Sequence, residues 1–470
     1  MGKVLFRNCR YLILRAAPES GVLRDGGLFV DGSRILAVGA SAEVEAAHGH
    51  QPGVEVVDAR HKIVMPGLVD AHNHVGEAHA LLVFGWLESP ILGLPDALDR
   101  VYWPAYGWFT EESVYDLTLF GLLNVLKHGA TTHANALPFP DAVYQASVDA
   151  GVRAVIHPQM VGSVQLPDAP GEQEYLALTR RAIRSYHNTL DGRIRVGVHP
   201  NCTFNCSQRL LTDGMALARE HGVQFATHLA ESPDEKSRSD SLWSTEGGLL
   251  AHLHRIGLLG PQTVLFHGTL LDEREIDLLA ETDTALVHCP ATNSIFGQCA
   301  YLPHMLRAGV RVGLGTDCVT HNLFNVMLSV SQLHNVMPRR LRGLEPWRPF
   351  ELATLGGARA LRWDDQIGAL EPGKRADVVT IDLERNTSLF PLDTQNLLSM
   401  LALNGAGSEV CDAMVDGEFL RREGAFTRLD EGSIIARAQD RCDQFAADYQ
   451  AARTAGRPMF RRLQEEFRQE

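Results

Sequence analysis

MPGLVDAHNHVGE, residues 65–77, is an apolar run that ends in two histidines one residue apart. If the run is a strand, His72 and His74 sit at positions i and i+2, share one face and can converge on one ion. Three H-x-H triplets occur among the 20 histidines, so the triplet alone carries little weight. His48 and His50 lie in a polar turn, AHGHQPG, and His252 and His254 lie in a helical stretch, where residues two apart point in different directions. Only the pair at residues 72 and 74 ends a strand.

Working outward, seven further apolar runs have the same form. They are GATTHAN (129–135), RAVIHPQ (153–159), RVGVHP (195–200), QFATHLAE (224–231), TVLFHG (263–268), ALVHCP (285–290) and RVGLGTD (311–317). Helix-patterned segments separate them, among them TEESVYDLTLFGLLNVLKHG (110–129) and DEREIDLLAETD (272–283). Eight strand–helix units predict an α/β fold, a (β/α)₈ TIM-like barrel whose chemistry gathers at the C-terminal ends of the strands. His228, His267 and Asp317 close the fifth, sixth and eighth runs. Nitrogen and carboxylate donors of this kind suit Zn²⁺, with Fe²⁺, Mn²⁺ or Co²⁺ as alternatives.

Short alternating runs flank this repeat on both sides: VLFRNCRYLILR, GGLFVDGSRILAVG and VEVVDARHKIVMPG before it, GALEPGKRADVVTIDLE and EVCDAMVDGEFLRREG after it. They are expected to pair with each other as a small β-sandwich built from the N- and C-terminal segments. The expected organisation is residues 1–64 and 366–430 for that domain, 65–365 for the barrel, and 431–470 for a helical extension packed on the barrel or on a second subunit.

Composition narrows the function classes. Lys and Arg total 43 against 57 Asp and Glu, a formal charge of −14, which argues against a nucleic-acid partner. Arginines at 7, 10 and 15 interrupt the stretch an export signal would need, and no apolar run is long enough to span a membrane, so a cytoplasmic location is expected. The eight cysteines are scattered and are read as reduced thiols.

Together the motifs resemble the amidohydrolase superfamily, in the branch that contains triazine hydrolases and cytosine, guanine and methylthioadenosine deaminases. The resemblance spans nearly the whole chain: PGLVDAHNH, HLAE, VLFHG, VHCPATN and GLGTD on the strands, and GKRADVV where the chain returns to the small domain. It implies metal ligation by His72, His74, His228 and Asp317, with Asp317 also accepting a proton. It places His267 near the ion and makes Glu231 the carrier of protons between water and a ring nitrogen. Two-metal relatives use a lysine on the fourth strand. The five lysines here (Lys3, Lys62, Lys127, Lys236, Lys374) all fall outside RVGVHP, so one divalent ion per subunit is expected, Zn²⁺ first and Fe²⁺ as the alternative.

The implied activity is a metal-dependent aminohydrolase that displaces ammonia or an amine from an N-heteroaromatic ring. The alternative is a chlorohydrolase or an amide, urea or carbamate hydrolase. A catalytically silent relative is disfavoured because every ligand position is filled. Nucleoside-binding relatives tend to carry an arginine where this chain has Leu81 and a histidine where it has Asn201, so the resemblance argues against adenosine-type substrates. Aromatic residues in 75–95 and 102–108, Phe84, Trp86, Tyr102, Trp103, Tyr106 and Trp108, suit a flat, weakly polar heterocycle. Trp86, Asn201, Asn293 and His321 are the substrate-binding candidates. Glu77, His79, His288 and Asn322 are weaker ones, and His133, His157 and His199 are read as structural. Relatives of this kind are often dimers or larger, so a homo-oligomer acting on a small heterocycle is expected.

Overall fold

The computed structural model describes residues 2–17, 21–77, 87, 89–162, 170–243, 247–336 and 343–455. The first strands are β1 (Lys3–Ile13), β2 (Val22–Asp31), β3 (Arg34–Ala40), β4 (Val54–Asp58) and β5 (Lys62–Pro66). The barrel strands are β6 (Leu68–Asn73), β7 (Ala130–Leu137), β8 (Arg153–Met160), β9 (Ile194–Val196) with β10 (His199–Pro200), β11 (Phe225–Leu229), β12 (Thr263–His267), β13 (Ala285–His288) and β14 (Val312–Leu314). The chain then returns through β15 (Val378–Asp382), β16 (Val410–Val415), β17 (Glu418–Arg422) and β18 (Ala425–Phe426).

Both termini contribute to one nine-stranded sheet in which β15 pairs antiparallel with β5. The sheet curls back on itself: the Ile35 amide at the start of β3 donates to the Lys374 carbonyl just before β15 (3.0 Å), and the Ala376 amide donates to the Ser33 carbonyl (2.9 Å). Phe6, Leu12, Leu28, Val30, Val64, Val378 and Met414 fill the space so enclosed.

Parallel pairing runs from β6 to β10 and from β11 to β14. Single bridges join the two halves, Val198 to Phe225 and Cys202 to His228 on one side, Asn73 to Asp317 on the other. The closing bridge is tight, with the Asp317 amide on the His72 carbonyl (3.0 Å) and the His74 amide on the Asp317 carbonyl (3.1 Å). Every residue of β6, β7, β8, β11, β12 and β13 is buried. Helices cover one face of each strand and barrel side chains the other, so the strands read as continuous apolar runs instead of alternating ones. Val69, Ala71, Ala134, Val155, Ala226, Val264, Phe266 and Val287 fill the interior together with Trp363.

The helix expected over 110–129 forms at Glu111–Lys127. Thr110 Oγ1 accepts from the Ser113 amide (3.1 Å) and Ser113 Oγ accepts from the Thr110 amide (2.9 Å), a reciprocal N-terminal cap. Arg153, fully buried at the start of β8, ties barrel to sheet: it donates to Asp377 (2.8 and 3.0 Å) and to Asp416 (2.6 Å). The helix Glu431–Thr454 lies along Glu111–Lys127, with Arg437 and Arg441 on the two oxygens of Asp116 (3.0 and 2.9 Å). Trp108, one of the candidate pocket aromatics, packs there against Phe445 at 5.5 Å. Among the described residues no helix is long and apolar enough to cross a membrane.

Candidate active site

Parallel strands ending on one rim bring the polar terminal residues of the runs together. His72 and His74 leave β6 on the same side, ring centroids 4.8 Å apart. His72 Nε2 lies 3.2 Å from His228 Nε2 and 3.6 Å from Asp317 Oδ1, and His74 Nε2 lies 3.4 Å from the same oxygen. Asp317 reaches this point because its backbone is left-handed, φ 56°, at the end of β14. His267 likewise turns off β12 with φ 74°. Such conformations are costly for residues other than glycine and concentrate at functional sites.

The tautomers favour coordination. His228 Nδ1 donates to the Asn201 carbonyl at 2.7 Å, which leaves the Nε2 lone pair facing His72. His74 Nδ1 stands 3.3 Å from Glu77 Oε1, so its Nε2 is free to face Asp317. Burial opposes a charge on His74, yet Glu77 and Asp317 outweigh it and hold its pKa up at about 9, so the Nε2 proton has to leave when an ion takes its place. Burial, reinforced by His74, drives His228 down to about 3. Ligands about 2.1 Å from one tetrahedral ion lie roughly 3.4 Å from one another. The separations of 3.2, 3.4 and 3.6 Å match that spacing, and three imidazoles with one carboxylate are a donor set for a divalent ion.

Behind this group, Asp70 accepts from the Thr316 amide (2.9 Å), Thr316 Oγ1 (2.6 Å) and Asn73 Nδ2 (2.8 Å), locking the first strand to the eighth. Opposite, His267 Nε2 is 3.3 Å from Glu231 Oε2, while Asn293 Nδ2 donates to His267 Nδ1 at 3.0 Å. Glu231 is buried, and burial with the nearby carboxylates of Asp317, Glu235 and Asp234 pushes its pKa well above the usual range. The site thus favours the protonated form of this carboxyl over the charged one.

A cavity opens on these groups, lined by His74, His228, Glu231, His267 and Asp317 and walled by Leu94, Leu98, Tyr102, Tyr106 and Phe296. Gln159 and Asn201 add amide groups.

The amidohydrolase family profile matches residues 63–420. The chain belongs to the amidohydrolase family. It is 33% identical over 430 residues to a 5-methylthioadenosine/S-adenosylhomocysteine deaminase of Nitratidesulfovibrio vulgaris, covering 89% of this chain and 92% of that one. It is 31% identical over 444 residues to a 5'-deoxyadenosine deaminase of Methanothermobacter thermautotrophicus, covering 91% and 97%. A crystal structure of an adenosine deaminase from Xanthomonas campestris with bound zinc superposes with a TM-score of 0.84 at 26% identity, over 94% of this chain and 98% of that one. The zinc complex of atrazine chlorohydrolase from Arthrobacter aurescens has the same fold, TM-score 0.80 at 22% identity, over 93% and 100%. This amidohydrolase is a metal-dependent hydrolase acting on carbon–nitrogen bonds.

Within it the site candidates divide. His74, His228, Glu231, His267 and Asp317 line the cavity together with Asn201, and His72 stands behind them, fully buried, against His228 and Asp317. Asn293 does not line it and acts on His267 instead. His321 is not among the lining residues of this cavity. Its ring lies beside those of His128 and His133, because the chain has already turned there to start a helix, with Asn322 Oδ1 capping the Phe324 amide at 2.9 Å. Trp86, Phe84, Leu81 and His79 lie outside the described residues. Tyr102 and Tyr106 are cavity walls, whereas Trp103 is core. The strongest under-read residue is Glu77, which Tyr106 also contacts through its hydroxyl. Its signal was present, a carboxylate three residues after His74 at the end of an apolar run. Asp70, a charge inside that same run, carried a similar signal. Gln159 carried none.

Proposed function

We propose that this amidohydrolase is an aminohydrolase that releases ammonia or an amine from an N-heteroaromatic ring, using one divalent ion held by His72, His74, His228 and Asp317. The observation that carries the reading is the buried Glu231, 3.3 Å from His267 in the cavity that Asp317 also faces. When bound, the ion would supply a water acidified enough to attack at neutral pH.

The chain's own residues account for the remaining proton traffic. Asp317 takes the proton that the attacking water gives up. Glu231 delivers its proton to the ring nitrogen beside the carbon under attack, which relieves the negative charge that addition of oxygen creates there. Because Asn293 donates to His267 Nδ1, His267 carries its proton on Nε2 and can donate to the oxygen being added. Collapse forms the ring carbonyl as the added hydroxyl gives its remaining proton back to Glu231, the carbon–nitrogen bond breaks, and the amino group departs with the proton that Asp317 held. Water and amine become ketone-like product and ammonia, with nothing left over.

The walls formed by Leu94, Leu98, Tyr102, Tyr106 and Phe296 suit a flat ring, and we assign them to its faces, with Asn201 as a polar contact. Zn²⁺ is the ion we assign, supported by the zinc in the Xanthomonas campestris structure, with Fe²⁺ as the alternative. We read the enzyme as a cytoplasmic homo-oligomer. The test is ammonia release from a panel of aminated heterocycles, free bases and adenine nucleosides included, run beside a halogenated triazine and an aryl urea. Ammonia from at least one aminated ring is expected. Turnover confined to the triazine or the urea would overturn the assignment.

A further inference from the structure

A second group of nitrogen and sulfur donors stands behind the cavity wall. His288 ends β13, Cys299 lies between the helices Pro290–Asn293 and Leu302–Ala308, and His334 comes from the helix Leu323–Val336. One donor atom of each lies within 4.8 Å of the other two, and Cys299 Sγ is 3.8 Å from His334 Nε2. The imidazoles of His288 and His334 meet at 5.9 Å and 61°. None of the three lines the catalytic cavity.

His288 is hard to read as packing. It is 0% exposed, yet neither ring nitrogen has a hydrogen-bond partner among the described residues. Buried polar atoms are nearly always paired, and an exception calls for an explanation. The contact between Cys299 and His334 leaves both nitrogens of His288 unserved.

We propose that His288, Cys299 and His334 form a second metal site that takes a thiophilic d-block ion such as Zn²⁺. Imidazole and thiolate donors at tetrahedral angles stand roughly 3.6 Å apart, close to the 3.8 Å seen. The thiolate separates this site chemically from the imidazole and carboxylate set in the cavity. Burial pushes the Cys299 thiol up to about 12, so its proton passes to solvent as the sulfur–metal bond forms. The ion clamps both ends of residues 288–299, the segment that carries Asn293 against His267 and Phe296 into the cavity. Its role is to hold that segment in place.

The experiment loads the full-length chain with Co²⁺ and counts ions beside the near-ultraviolet spectrum, where only a thiolate ligand gives an intense sulfur-to-cobalt band. Two ions per chain with that band are expected, and Cys299→Ser should keep one ion and lose the band. His334→Gln, which leaves the thiol in place, should also fall to one ion, a check should Cys299→Ser fold poorly. One ion per chain without the band would overturn the site. So would a band that survives Cys299→Ser and vanishes in Cys289→Ser, because Cys289 neighbours His267 and Asp317. No substrate enters the measurement, so its outcome is independent of the proposed reaction.

Discussion

His267 stands between Glu231 and Asn293, its Nε2 3.3 Å from the Glu231 carboxylate and its Nδ1 receiving the Asn293 amide at 3.0 Å. The amide sets which nitrogen carries the proton, and the carboxylate stands beside that nitrogen.

Glu231 is not one of the atoms converging at His72, so replacing it should leave the metal alone. Glu231→Gln is expected to reduce kcat about 100- to 10,000-fold, the usual range for losing one positioned acid or base, with unchanged metal content by elemental analysis. Near-normal turnover would remove the proton-carrier role.

His72→Ala and Asp317→Ala should lose both the ion and the activity. Each takes away a donor spaced 3.2 to 3.6 Å from its neighbours. A purified variant that retains one full equivalent of metal would count against its ligand role.

Asn293→Ala should act through His267. With the amide gone, the imidazole is free to change tautomer, and kcat/KM is expected to fall about 10- to 100-fold with metal retained, the scale seen for outer partners of site histidines. Asn293→Gln, if it reaches Nδ1, should recover part of the loss. Full activity in the alanine variant would mean that the tautomer does not matter.

Arg153 is a buried cation held by Asp377 and Asp416 across the junction of barrel and sheet. Arg153→Ala strands the buried Asp377 carboxylate, while Asp416 keeps Arg193 at 2.9 Å, and should cost about 3–5 kcal/mol in chemical unfolding. Arg180→Ala, which breaks an exposed pair with Glu220, should leave the midpoint nearly unchanged. Equal effects would refute the contrast.

Acid should destabilise the fold through His133 and His157, whose burial lowers each pKa from 6.5 to about 3. Below about 6.5 the unfolded chain binds protons that the folded chain refuses, so stability falls as pH drops through the window from about 6.5 to about 3. The slope is up to about 1.4 kcal/mol per pH unit for each group. Unfolding curves at pH 7 and 5.5 test the sign, and His157→Gln should flatten the dependence. An unchanged slope in that variant would assign the effect elsewhere.

Much of this protein is determined by local sequence. Strands buried on both faces have to be apolar throughout, so each barrel strand appears as a run, and its polar last residue marks the rim. That is why His72, His74, His228, His267 and Asp317 stand at or just past strand ends in the sequence, and why the antiparallel pairing of β5 with β15 followed from two distant segments with no other partner. Tertiary structure alone decided the rest. Glu77 and Gln159 reach the cavity through loop and strand directions that no periodicity encodes, and His321 leaves it because the chain begins a helix there. Asn293 became a partner of His267, and His288 met Cys299 and His334, only when the strands closed into a ring. A motif records what a residue can do chemically. Which neighbour it does it to depends on contacts between positions far apart in the chain, and those exist only once the barrel has closed.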